Sequence, residues 1–228
     1  KAFNPGKLFD RLINFVRPLF SPYFVWLAVI AIFIAFLITL YNGPDIARGI
    51  AKLLSIEGII LLYVCIPFVV LFHEFAHGLT LKYYGGEVRE IGFLLIYFQP
   101  AFYCNVSDAW MLPKKSQRLW VSFSGGFFQI FIWALAVIVW RITAPELFVN
   151  KVSLAVMTFS GIATLFNFNP LLRYDGYYLL SDYVEIPNLR TKAKNYWRAK
   201  LKSLFTGGEK GLDDFTSRER KIYFYYGF

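Results

Sequence analysis

FHEFAHGLTLKYYGG, residues 72–86, interrupts a stretch that otherwise reads as one apolar membrane helix. His73 and His77 are the only two histidines in a chain of 228 residues, and Glu74 stands between them. Around this motif the chain is 57% hydrophobic and 20% aromatic, with a mean hydropathy of +0.47, more apolar than a soluble domain carries. Four windows are long and charge-poor enough to cross about 30 Å of hydrocarbon as helix: residues 23–41, 58–81, 119–140 and 152–172. These windows predict an all-α polytopic membrane protein with about four transmembrane helices.

The formal charge of +9 is distributed to suit topology rather than nucleic acid, for which no aromatic-basic motif is present. Lys and Arg number 4 before the first window, then 2, 5 and 2 in the successive loops, and 11 after the fourth. That alternation predicts cytoplasmic termini and a cytoplasmic loop between the second and third spans; a bacterial cytoplasmic membrane, with the active site toward the cytoplasmic side, is the expected location. Cys65 lies in a span and Cys104 in a loop, an arrangement that argues against a disulfide framework.

Three regions follow. Residues 1–20 alternate basic and apolar positions and suit an interfacial segment; 21–187 hold the membrane core; 188–228 form a basic, amphipathic cytoplasmic region expected to lie on anionic lipid. The chain opens at Lys1 without methionine, and its end, IYFYYGF, reads like the start of another apolar segment. A piece of a longer protein, cut before a further span, is expected. Residues 85–107, β-branched and aromatic with Gly85-Gly86 at the start and Gln99-Pro100 at the centre, predict a small β hairpin on the cytoplasmic side, lining a cavity. Pro67, six residues before His73, is placed to bend the second helix.

Two histidines at i and i+4 emerge one turn apart on one helix face and can converge on a single ion, the HExxH arrangement. Glu74 beside them can deprotonate a water whose pKa zinc lowers to roughly 7. A packed pair of histidines would leave Glu74 unexplained, because an ionisable group at membrane depth costs at least about 2.5 kcal/mol. A working zinc site takes three protein ligands and one open position. With both histidines used, the third ligand is an acid, or else Cys65 or Cys104. Topology favours Asp175, directly after the fourth span, with Asp182 its nearest competitor and Glu87, Glu90 and Asp108 within reach on the hairpin side. Asn167 and Asn169, before Asp175, are candidates to hold substrate backbone.

FHEFAHGL, a Gly-Gly turn and then NPLLRYDGYY, in that order, resemble the site-2 protease family of intramembrane zinc metalloproteases. The likeness covers residues 56–182 and is nearest to the branch of peptide zinc metalloproteases linked to secretion-adaptor proteins. It implies one zinc ion on His73, His77 and Asp175, with Glu74 as catalytic base. It also implies a membrane-associated or secreted peptide as substrate and an adaptor domain or protein as partner. SFSGGFFQ, residues 122–129, stands where the family has a Gly-Pro loop, often with asparagine, and Gln129 takes the polar, substrate-binding place. LLRYDG replaces the family's frequent Pro-Leu before Asp-Gly, and there is no PDZ-like insertion. Two rivals remain open at this point. One is a non-proteolytic metal-containing component of a peptide export or maturation system, marked by a fourth ligand such as Cys104 or Asp108. The other is an ion transporter.

Overall fold

Apolar sequence and capping residues together set the helices in the computed structural model, which describes residues 2–96, 99–206 and 215–227. Helix α1 (Gly6–Val16) drops Phe9 into the interior and leads to α2 (Pro22–Tyr41), twenty nearly unbroken apolar residues. Ser21 caps α2 by accepting from the Phe24 N–H at 3.2 Å, with Pro22 in the first turn. A short amphipathic helix, α3 (Gly43–Leu53), follows. Ser55 then caps α4 (Ile56–Tyr83) through the Gly58 N–H at 3.2 Å. Helix α4 runs through both Pro67 and the histidine motif without ending.

Helix α4 stops at a glycine, for a reason its backbone makes plain. Gly85 adopts φ +86°, the Gly86 N–H reaches the Leu81 carbonyl at 3.0 Å and the Gly85 N–H reaches that of Lys82 at 3.0 Å. This is a Schellman closure, in which the left-handed residue satisfies carbonyls the helix leaves unpaired. The glycine pair thus terminates a helix rather than opening the hairpin.

The expected hairpin is present as β2 (Ile91–Ile96) and β3 (Gln99–Cys104), antiparallel, with Ile91 opposite Cys104 and Ile96 opposite Gln99. Its tip at 97–98 lies outside the described residues. Pro100 is paired opposite Leu95 instead of marking the reversal, and β3 is an edge strand, where a missing N–H is tolerated. Unforeseen by sequence, β1 (Ala2–Phe3) adds to the other side of β2 and completes a three-stranded sheet in the order β1-β2-β3.

Helix α5 (Lys115–Ile142) is the central member, packing on α2, α4 and α6 (Phe148–Asn167). SFSGGFFQ is therefore continuous helix inside α5 and not a loop. Ala35, Cys65, Ala134, Ala136 and Ala155 dominate the common core, small side chains that let the helices approach closely. Trp26, Ile30, Phe33, Ile59, Ile60 and Phe68 point outward from α2 and α4, as lipid-facing residues do. Helices α2, α4, α5 and α6 are all long and apolar enough to cross a membrane. Helix α6 ends at Asn167, five residues before the expected boundary, where the Asn169 side chain accepts from the Leu171 N–H at 3.0 Å and Pro170 follows. The chain resumes as α7 (Asp175–Val184). Beyond it, α8 (Leu189–Thr206) buries Leu189, Ala193 and Tyr196 against α7 and α9 (Ser217–Gly227), which contributes Tyr223. Residues 207–214 of the basic C-terminal region lie outside the described residues.

Candidate metal centre

Two helices bring the donors together. His73 and His77 sit one turn apart on α4, both buried, and the first residue of α7, Asp175, closes over them. The His73 Nε2 lies 3.0 Å from Asp175 Oδ2, the His77 Nε2 3.3 Å from Asp175 Oδ1, and the two Nε2 atoms 3.2 Å apart. Metal–ligand bonds of roughly 2.1 Å in a tetrahedral site place neighbouring donors about 3.4 Å apart. The triangle matches that spacing closely.

Hydrogen bonding around the triangle sets which atoms face inward. On α5, the Val121 carbonyl accepts from His77 Nδ1 at 2.7 Å, so the His77 lone pair sits on Nε2 and points at the other donors. Asp175 Oδ2 is buried without a hydrogen-bond partner, and so is the Nδ1 of His73. Buried polar atoms normally find partners. Two imidazole nitrogens and a carboxylate around one point, with an orphaned oxygen among them, form a set that a divalent cation satisfies.

Glycines make the approach possible. A Cβ on Gly125 of α5 would stand 2.2 Å from His77 Nε2, so the imidazole occupies the space that glycine leaves. A Cβ on Gly176 would meet the Phe168 backbone at 2.5 Å, which seats the start of α7 against the end of α6.

Glu74 does not join the donor triangle. The Cys104 N–H on β3 donates to its Oε2 at 2.8 Å, tying the carboxylate to the sheet at the edge of a cavity of about 550 Å³. Glu74, His77, Tyr103, Trp110, Tyr174 and Asp175 are among its walls. The sheet thus lines the cavity, as its sequence position led us to expect.

The remaining candidates fall elsewhere. Burial and the Glu74 carboxylate push the Cys104 thiol up to about 12, and its sulfur is not among the clustered donors. Asp108 pairs with Arg89 at 3.2 Å, and Glu90 hydrogen-bonds the Tyr103 hydroxyl. Cys65 is packed in the helical core. Among the described residues, the donor cluster has three members and no fourth ligand. Asp182 accepts from the Ser122 hydroxyl at 2.8 Å, and burial raises its pKa against that bond. Gln129 is 2% exposed and accepts from the Asn167 amide at 3.0 Å, so these two residues face each other between α5 and α6. Asn169 forms the turn already described. None of these three is among the cavity walls. Sequence reasoning missed Val121 and the Cys104 N–H, because backbone groups leave no signature in residue identity.

No protein-family model matches the chain, and no solved structure matches it significantly. Over 129 residues the chain is 26% identical to the protein named "Putative peptide zinc metalloprotease protein YydH" of Bacillus subtilis strain 168, an alignment covering 56% of this chain. The chain spans about half the length of that relative, 49%. This is a distant likeness to a protein named as a zinc metalloprotease, and it agrees with the donor set on α4 and α7.

Proposed function

We propose that this chain is a zinc metalloprotease of the site-2 type, hydrolysing a peptide bond within or beside the membrane. The convergence of His73, His77 and Asp175 donors within 4.8 Å, beside a cavity that Glu74 enters, carries this reading. His73, His77 and Asp175 would hold one zinc ion, which supplies a Lewis acid for the peptide carbonyl and makes a nearby water acidic. Glu74 takes the proton from the attacking water and delivers it to the leaving amine. The Cys104 N–H fixes one oxygen of that carboxylate, and the Val121 carbonyl holds the His77 ring in its ligand orientation. The distribution of Lys and Arg supports a cytoplasmic N-terminus and a site at the cytoplasmic end of the bundle.

Membranes carrying the intact protein or its Glu74→Gln variant, compared by mass spectrometry of released peptides, test the reading. Fragments ending at or near a membrane segment are expected only from the intact protein. Turnover in the variant should fall by about 10²- to 10⁴-fold while bound zinc is retained. Identical peptide sets from both samples, each holding stoichiometric zinc, would overturn proteolysis in favour of a metal-containing export component.

A further inference from the structure

Helix α7 carries Asp175 at its first residue, and the helix is only 10 residues long. A ligand at the free end of so short an element needs something to fix the helix along its length. The connection before it is an irregular turn, in which the Tyr174 N–H reaches the Leu172 carbonyl at 2.8 Å. Asp182 lies two helical turns after Asp175, about 10 Å along the axis and on nearly the same face. It is 8% exposed and accepts from the Ser122 hydroxyl of α5 at 2.8 Å.

Ser122 is not an arbitrary anchor. It adjoins Val121, whose carbonyl accepts from His77 Nδ1, and it lies within one turn of Gly125, against which the His77 ring rests. The same turn of α5 therefore touches His77 on one side and the helix bearing Asp175 on the other. Glu185, just past α7, reaches Arg118 and Lys115 at 3.5 and 3.9 Å, but its side chain is 49% exposed. Long, solvated ion pairs of that kind fix little. A buried carboxylate accepting a hydroxyl hydrogen bond is the stiffer link.

We propose that Asp182 is a positioning residue. Its bond to Ser122 locks α7 onto the turn of α5 that orients His77, so that the Asp175 carboxylate meets both imidazoles. The proposal rests on the metal-site reading given above. An acceptor oxygen at the right place is what the strut requires, so asparagine at 182 should serve almost as well as aspartate. Partners that orient ligands in this way change metal affinity by about 10- to 100-fold when removed.

The test is zinc affinity of the full chain in detergent, measured by competition with a chelating indicator and needing no turnover. Asp182→Ala and Ser122→Ala should each weaken zinc by about 10- to 100-fold, and the double variant by no more than the worse single. Asp182→Asn should stay near the parent, and so should Glu185→Ala. Thermal unfolding of each zinc-free variant separates weakened binding from a failure to fold, and Ser122→Ala, the smaller change, keeps the test open if Asp182→Ala does not fold. Single variants that bind within about twofold of the parent would overturn the strut and leave the metal centre standing. An equal loss in Glu185→Ala would also overturn it, by showing that any loosening of α7 suffices. A parent chain that binds no zinc would overturn the metal reading itself.

Discussion

Two polar groupings sit among the helices, one between α5 and α6 and the other between α4 and α7, and they differ in how they end. Gln129 of α5 and Asn167 of α6 turn toward each other, the Asn167 amide donating at 3.0 Å and the Gln129 amide donating onward to the Ser160 carbonyl at 3.4 Å. His73, His77 and Asp175 turn toward a common point, where acceptor atoms crowd within 4.8 Å and Asp175 Oδ2 has no partner. The first arrangement closes on itself and holds helices together. The second leaves acceptors facing one another, incomplete as a hydrogen-bonded group and of the kind a divalent cation could satisfy. Burial alone does not separate them, since Gln129 at 2% exposure is more enclosed than His77 at 6%. Whether the donors and acceptors balance does.

Removing a member of the incomplete group should therefore destroy a function, and the largest effect belongs there. His77→Ala and Asp175→Ala are expected to lose bound zinc and all turnover, read by metal analysis of the purified protein alongside peptide release. Full zinc occupancy in either variant would mean that the donors do not act as one site. A smaller but still marked effect is expected from Gly125→Ala, whose new methyl would sit 2.2 Å from His77 Nε2. Overfilling a packed contact costs about 1–3 kcal/mol, and here the yielding group is a ligand. Weakened zinc binding with a modest fall in melting temperature is the expected pair of readouts. Unaltered zinc affinity would show that the ring has room to move without leaving the site.

Much of the candidate donor cluster was legible in residue identity, for a physical reason. The i, i+4 spacing of His73 and His77 fixes their common face on any helix, and an ionisable Glu74 in an apolar window demands an explanation. Asp175 could be found only by asking which acid the chain topology returns to the same end of the bundle, and the fold does bring it there. The spans were legible as apolar windows, although the fourth ends at Asn167 because an asparagine turn and Pro170 break it while the sequence is still apolar. Less could be read where partners are distant in sequence or are backbone. The pairing of Ala2 with Gly92 joins strands ninety positions apart, and neither strand announces the other. Val121 and Cys104 act through a carbonyl and an N–H that any residue could supply. Gly85-Gly86 suggested a hairpin because glycine marks both turns and helix ends, and only the positive φ of Gly85 distinguishes them.

The smallest effect should come from the closed group, and it tests the contrast from the other side. Asn167 and Gln129 are candidates for substrate contacts by sequence, yet the Asn167 amide donates to Gln129 and the Gln129 amide to the Ser160 carbonyl. Leucine at either position alone strands a buried partner, at a cost of about 1–3 kcal/mol, whereas leucine at both removes donor and acceptor together and should restore most of the loss. The expected pattern in thermal unfolding is thus two destabilised single variants and a double variant closer to the parent, all with unchanged zinc affinity. A substrate-binding role would look different. It would leave the melting temperature nearly unmoved, raise KM in both singles, and give no recovery in the double, because a lost contact to peptide is not regained by removing its neighbour. The sign of that coupling decides whether a buried amide pair beside a metal centre belongs to the scaffold or to the reaction.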